Sequence, residues 1–540
     1  MTQVAARTAA TGTLVGTRTV VRLVLRRNRV RLVVWWVVLV GLFFYVTSYY
    51  QSIFTTQKAL DDFAALSNTP SIRALTGLAA APDTLGGAVW TKIWMSTALS
   101  LAFGIVFLVT RNGRAEEEVG RTELLRSRVL GLHASSAASW SILSVLCLAV
   151  GAGIAAVSVA SGLDPAGTGA VGSLVLGASV TGVGLVALGV GAVAGRIAST
   201  ARGANALGSS VLGVFYVLRM VGDLGDGRLS WASPVGWGQQ MEPWGANRWW
   251  PLALLILLAV ALLGVAAAME ARSDVGSGLL AARPGRAGAP RRYATPLGLA
   301  LRLQRGAIIG WTLTILLAAM MFGSVVQAMS DLLADAGSAQ ALLRGTGVKA
   351  LLSMLVGMIA LITAVFALQS AVQLRTDEAS GIVEPQLAGA VSRTRWALER
   401  LLIPAVGSAV LLLAGGALMG AGYGSLVDDP SQARVLALAA LTYWPAVMVL
   451  VGVAVALFGW LPRLAVPITW GVLAAMWFIM IIGDALHLPR WLLDVLPFSA
   501  TPYLPYESMS WMPVVLMTLV AALLISSGVG RFIQRDVQVG

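Results

Sequence analysis

Charge, histidine and cysteine are all scarce in this chain. Only 12% of its 540 residues are Asp, Glu, Lys or Arg, roughly half the share found in soluble domains. A single cysteine, Cys147, excludes an intrachain disulfide and any cysteine-built metal site. In its apolar surroundings it reads as a small buried hydrophobe. The two histidines, His133 and His487, stand too far apart in sequence for a local metal motif. Lysine is confined to Lys58, Lys92 and Lys349, so arginine carries nearly all of the +13 net charge. That bias hints at a GC-rich bacterial genome. There is no G-x-x-x-x-G-K-[ST] phosphate loop, no H-E-x-x-H and no Ser/His/Asp arrangement for nucleophilic catalysis. Residues 1–12 are small and polar, read as disordered, and lack the apolar core of a cleaved secretory signal.

What is present is apolar. Hydrophobic residues make up 57% of the chain and the mean hydropathy is +0.80. Many runs approach or exceed the ~20 residues that carry a helix across a bilayer. The fold class that follows is an all-α polytopic membrane protein. A basic soluble protein would suggest nucleic acid, but these arginines gather in alternate loops, where topology explains them. About twelve spans are expected, near 32–50, 88–110, 134–160, 170–195, 206–222, 251–269, 306–328, 349–370, 401–423, 435–460, 464–483 and 512–529. Leu14–Arg31 and Leu297–Arg305 read as amphipathic lead-in helices lying in the interface. The fourth span carries the small-xxx-small pairs Ser173/Gly177, Ala178/Gly182 and Gly191/Gly195, which favour close helix approach. The Trp/Pro-rich stretches after the fifth and eleventh spans read as external re-entrant hairpins.

The second half repeats the first. Trp311 echoes Trp35, Gly483-Asp484 echoes Gly222-Asp223, Arg344–Gly347 echoes Arg73–Gly77, and the ending Arg535-Asp536-Val537 echoes Arg272-Ser273-Asp274-Val275. The expected organisation is therefore a six-span unit at 1–270, a linker at 271–296 and a second six-span unit at 297–540. Parallel duplicates of this kind are related by an axis along the membrane normal. Both termini, the linker and the loops after the second and eighth spans are basic, which places them in the cytoplasm.

Those two loops hold most of the acidic signal. The first carries Glu116, Glu117, Gly120 and Glu123, and the second carries Glu378, Gly381 and Glu384 at the same Glu/Gly/Glu spacing. One such loop alone would read as solvated acids balancing nearby arginines. Its recurrence at the same topological place favours a docking element, with carboxylates for a partner's arginines and a glycine for a bend or close approach. Pro385 is expected to shorten or kink the second copy. The spans themselves carry almost no ionisable residues. Lys92, Arg219 and Glu270 lie near span ends, where snorkelling to water is expected.

The run Arg-Ala-Glu-Glu-Glu-Val-Gly-Arg-Thr-Glu-Leu-Leu-Arg-Ser-Arg-Val at 114–129 resembles the loop after the second span of type-2 ABC exporter permeases. The likeness covers the whole chain. The fused two-unit form, with Ser233-Pro234-Val235-Gly236-Trp237 and Arg272–Gly278, looks like actinobacterial exporters of polyketide antibiotics and other drugs. The resemblance implies that the two loops are coupling helices. They would contact two copies of a separate ABC ATPase, which binds the ATP and Mg; this chain would hold no cofactor and no catalytic site. It also implies a location in the bacterial cytoplasmic membrane. The substrate path would be lined by the second and fifth spans of each unit. The candidates there are Phe103, Phe107, Phe215, Tyr216, Met220, Met354, Met358, Phe366, Trp477 and Phe478. Met and aromatic side chains suit large hydrophobic or amphiphilic cargo, antibiotics, drugs or lipids. A secondary, ion-driven multidrug carrier is the alternative. It would want a buried carboxylate for coupling, and a membrane-embedded transferase would want a catalytic cluster; neither stands out.

Overall fold

The computed structural model describes residues 12–538 apart from 68–72, 74–75, 78–79, 121–129, 165–169, 226, 273–277, 279–287, 289, 291–292, 294, 336–345 and 483–495, and leaves out the side chains at 66, 324–325, 327–335, 346–347 and 481–482. The expectations placed on Glu123, His487, Gly483-Asp484, Arg344–Gly345, residues 1–11 and most of the linker fall outside the described residues.

The chain divides into two compact units, Met1–Pro284 and Gly285–Gly540. Every regular element among the described residues is a helix. The first unit contains α1 (Thr17–Ile53), α2 (Gln57–Ser67), α3 (Leu85–Asn112), the short α4 (Arg114–Glu118), α5 (Ala134–Ala160), α6 (Val171–Ile197), α7 (Ala201–Leu224), the short α8 (Pro234–Gln239) and α9 (Trp250–Arg272). The second contains α10 (Pro296–Asp335), α11 (Thr346–Ala379), the short α12 (Val383–Leu387), α13 (Arg393–Val427), α14 (Gln432–Leu441), α15 (Trp444–Trp460), α16 (Ala465–Ile482) and α17 (Trp511–Gln534). Eleven helical stretches among the described residues are long and apolar enough to cross a bilayer, and the apolar Ala465–Met480 is a shorter one. The protein is a multi-pass, all-α membrane protein.

The two units pack alike. In the first, α6 lies against α3, α5 and α9, and α1 lies against α5. In the second, α15 lies against α11 and α17, and α10 lies against α13. The fourth span of the first unit is the most enclosed, because its small residues admit three neighbours. Gly177 meets Gly151 of α5, Gly182 meets Leu255 of α9, and Gly191 meets Val106 and Val109 of α3. The expected small-residue stripe is thus spread over three faces, and at Gly195, its last member, an added Cβ would meet no described atom within 4 Å. A Cβ at Gly177 would be driven into the Gly151 carbonyl oxygen and onto Ala155. Gly177→Ala should therefore lower stability by about 1–3 kcal/mol through overpacking, read as an earlier thermal unfolding midpoint in detergent, whereas Gly195→Ala should leave it unchanged.

Two expectations are corrected, and a third, the re-entrant Trp/Pro stretch of the first unit, is seen entering its unit. The basic lead-ins are not separate interfacial helices. α1 is a single helix of 37 residues, about 55 Å at 1.5 Å per residue, and α10 likewise continues from its basic end into its apolar one. No proline interrupts either helix interior, and a break would strand backbone N–H and C=O groups. The lead-in of α1 is also held in place: Asn28 is buried and donates to Asn112 Oδ1 at 3.0 Å. The tenth span is interrupted at Thr442 and Tyr443, and Pro445 opens α15 in the first turn, where its missing N–H is harmless. The Trp/Pro stretch of the first unit folds inward. Ser233 caps α8, Pro234 starts it, and Val235, Met241 and Trp244 are buried.

Candidate functional site

At one end of the first unit α3 stops at Gly113, and α4 turns its acidic side chains in three directions. Glu116 pairs with Arg27 of α1 at 2.7 Å. Glu118 accepts the Ala201 amide at 2.8 Å, at the start of α7. Glu117 points inward, between Arg114 Nη1 and Arg196 Nη1, each at 2.9 Å. The network continues from there. Arg196 Nη2 reaches Glu270 Oε1 at 3.0 Å, Ser136 donates to the same oxygen at 2.9 Å, and His133 Nδ1 lies 3.0 Å from Glu270 Oε2. Arg114 Nη2 donates to the Ser199 carbonyl at 2.8 Å. These groups surround a cavity of about 40 Å³. The ends of α3, α6 and α9 and the start of α5 are therefore tied together by charge.

The second unit builds the same clasp from different parts. Glu378 is fully buried at the end of α11. It is bonded to Arg375 Nη1 at 3.1 Å and held in a fork by Arg535, at 2.6 and 2.9 Å. The Gln538 amide donates to Glu378 Oε1 at 3.1 Å, and Arg375 donates back to the Gln538 carbonyl at 2.7 Å. Asp377 pairs with Arg400 of α13. Gly120 and Gly381 then turn the chain with φ of 72° and 73°, a left-handed conformation that costs other L-residues about 1–2 kcal/mol. Among the described residues nothing lies within 4 Å of where a Cβ of Gly120 would stand, so the bend is what calls for glycine there. Among the described residues at the two turns, Val119 is 66% exposed, Ile382 is 40% exposed, and Glu384 and Pro385 face out.

At the other end of α11 a cleft of about 580 Å³ opens within the second unit. Met354, Met358 and Leu361 of α11, Met480 of α16, Tyr443 between α14 and α15, and Phe498, Tyr503 and Glu507 line it. Burial, with the Glu507 charge second, pushes the Tyr503 phenol up, so it stays a neutral hydroxyl.

Two similarities place this architecture. Residues 293–532 match the model of the multidrug efflux system permease Rv1217c, C-terminal domain. Over 533 residues the chain is 35% identical to the multidrug efflux system permease protein Rv1217c of Mycobacterium tuberculosis (strain ATCC 25618 / H37Rv), covering 97% of this chain and 95% of that protein. The chain belongs to the Rv1217c family of multidrug efflux permeases.

In this member of the Rv1217c family the expected site residues are distributed unevenly. Glu117 and Glu378, read as outward docking groups, are enclosed and bonded to the chain's own arginines; Glu116 is bonded to Arg27, and Glu384 is exposed. The short helices also differ in place: α4 precedes its glycine, whereas α12, containing Pro385, follows Gly381. Arg219 and Glu270 do not snorkel. Arg219 is buried beside Asp223 at 3.6 Å and over the Tyr216 ring at 5.1 Å, while Ser230 and Gln239 also bind Asp223. Arg219 meets its carboxylate one turn further along α7 itself, whereas Glu270 meets Arg196 of α6 and Ser136 of α5, so each charge is answered inside.

Of the path candidates, Met354 and Met358 share a cleft. Phe103 and Phe107 sit 6.5 Å apart on α3, with Phe107 exposed. Phe215, Tyr216 and Met220 are half-buried on α7, and Trp477 and Phe478 are exposed on α16. Phe366 does not face a path: it is buried in the core of the second unit, under Gly407. The reading of the sequence missed Tyr443, Met480, Phe498 and Glu507. One signal was available, since Glu507 is the only acid in Pro497–Trp511.

Proposed function

We propose that this permease exports hydrophobic and amphiphilic compounds across the bacterial cytoplasmic membrane, driven by ATP hydrolysis in a separate ATPase subunit. The ATPase, present in two copies and carrying the ATP and Mg, would dock on the turns after the second and eighth spans, on the cytoplasmic side with both termini. One observation carries this reading. Both units place a left-handed Gly turn after an inward-bonded glutamate, which makes each turn a rigid handle on its unit while Val119, Ile382 and Glu384 remain outside. Movement of an ATPase against such a handle would be transmitted to the helices to which it is bonded, allowing alternating access. The relative's printed name, an efflux system permease, speaks of a system with further components.

The test uses outward residues, because altering the enclosed glutamates would disturb the fold. Val119→Asp and Glu384→Arg should each reduce co-purification with a co-expressed candidate ABC ATPase, with an unchanged unfolding midpoint. Undiminished co-purification in both variants would remove these turns as docking sites. Efflux that survives ATP depletion and collapses with the proton gradient would instead favour an ion-driven carrier.

A further inference from the structure

We propose that the cleft at the end of α11 opposite Glu378 binds lipophilic organic cations, with Glu507 as their charge partner. The proposal deepens the efflux reading by naming a class of cargo, and rests on that reading for its biological use.

Size and lining come first. At about 580 Å³ the cleft falls within the ~300–1,000 Å³ typical of small-molecule sites. Three methionines, Met354, Met358 and Met480, give it a polarisable wall that adapts to different shapes. Tyr443 and Phe498 add an aromatic pair with ring centroids 5.9 Å apart, and ring faces attract cations.

Charge decides the sign of the ligand. Glu507 is exposed at the cleft, where its Oε2 accepts the Tyr503 amide at 3.0 Å. Among the described residues no Lys or Arg lines the cleft, and Glu507 forms no ion pair. The first unit handles the equivalent place differently. At the offset that relates Glu117 to Glu378, Arg219 is matched by Met480. Arg219 sits beside the buried Asp223, so the first unit supplies its own cation. The second unit has an uncharged thioether there, and its Glu507, which has no acidic counterpart at that offset in the first unit, stands at an apolar, aromatic cleft. An anion would meet repulsion from Glu507, and a neutral ligand would gain no charge pairing from it. A quaternary phosphonium or ammonium carrying apolar groups matches both the wall and the charge.

The test needs no ATPase. Full-length permease in phosphatidylcholine nanodiscs is equilibrated with tetraphenylphosphonium or with tetraphenylborate, an anion of nearly the same shape, and binding to empty nanodiscs is subtracted. The cation should bind saturably and much more tightly than the anion. Glu507→Gln keeps an acceptor for the Tyr503 amide and should weaken cation binding roughly five- to tenfold, with tetraphenylborate unaffected or improved. Met480→Arg, which copies the first unit, should abolish cation binding. Equal affinities for the two ions, or unchanged cation affinity in folded Glu507→Gln protein, would overturn the proposal. Selective binding without ATP-driven efflux would uphold the site and defeat the ATPase reading; ATP-driven efflux with cation binding indifferent to Glu507 would do the reverse.

Discussion

Replacing Glu117 by alanine is expected to destabilise the first unit by about 3–5 kcal/mol, the range for removing one partner of a buried ion pair. Its side chain is 6% exposed and that of Arg114 is 2% exposed, so water offers little compensation. Without the carboxylate, two guanidinium groups that converged on it from α4 and α6 are left facing one another. Arg196 keeps Glu270, which places the expectation toward the lower end of the range for alanine and toward the upper end for Glu117→Lys, where a third cation enters. The neighbouring glutamates are the internal control. Glu116 meets Arg27 with side chains 19% and 35% exposed, and such a pair contributes about 0–1 kcal/mol. Glu118 stabilises the start of α7 through the Ala201 amide, worth roughly 0.3–1 kcal/mol for an anion at a helix N-terminus. Thermal unfolding of the three alanine variants in one detergent should rank Glu117 far below the other two. Equal midpoints would mean that the Glu117 network is not what ties α3, α5, α6 and α9 together.

This network also marks where sequence reading reaches its limit. The spans were legible because twenty apolar residues in a row have few alternatives to a membrane helix. The paired turns were legible because Glu117–Gly120 and Glu378–Gly381 repeat the same spacing, and the bend at each glycine follows from that residue's freedom at positive φ. The direction of the carboxylates was not legible. Arg196 and Arg535 lie 79 and 157 residues from the glutamates they hold, and a charge-balanced loop has the same composition whether its acids face water or the protein. Glu270 was misplaced for a related reason, since Arg196 and Ser136 reach it from other spans, whereas the partner of Arg219 stood four residues away on its own helix and was legible as an i,i+4 pair. Phe366 shows the same limit for apolar residues, since core, lipid face and path use one alphabet. The cleft was half legible. Met354 and Met358 stand one helical turn apart, but Tyr443 and Glu507 reach them from separate segments.

Comparison of the two clasps leads to the second large effect. Each unit buries a glutamate at the end of its second span, but the arginine that answers it comes from α6 in the first unit and from beyond α17 in the second. At the offset that relates Glu117 to Glu378, Arg196 is matched by the apolar Leu457 of α15, which cannot hold a carboxylate. The last residues of the chain have taken over a function that a span performs in the other unit. A C-terminal segment that looks dispensable by sequence is therefore a fixed part of the second turn.

Ending the chain after Gln534 should consequently destabilise the second unit by about 3–5 kcal/mol, with no effect on the Glu117 network. The cut removes Arg535 and Gln538 together, leaving the fully buried Glu378 with the Arg375 contact at 3.1 Å. Arg535→Ala should account for most of the loss, since its fork makes both short bonds to the carboxylate while also donating to the Phe458 carbonyl at 3.1 Å. Arg535→Lys should rescue only part of it, because a single ammonium cannot reproduce the planar two-point geometry. Glu378→Gln provides the decisive arm. If the penalty arises from an uncompensated buried charge, adding Glu378→Gln to Arg535→Ala should recover stability, giving a coupling of at least ~1 kcal/mol between the two sites. If the tail instead acts only through the packing of the Arg535 stem on Phe458 and Phe532, the double variant will be no better than Arg535→Ala alone, and the clasp will have to be read as an apolar contact with charge as a bystander.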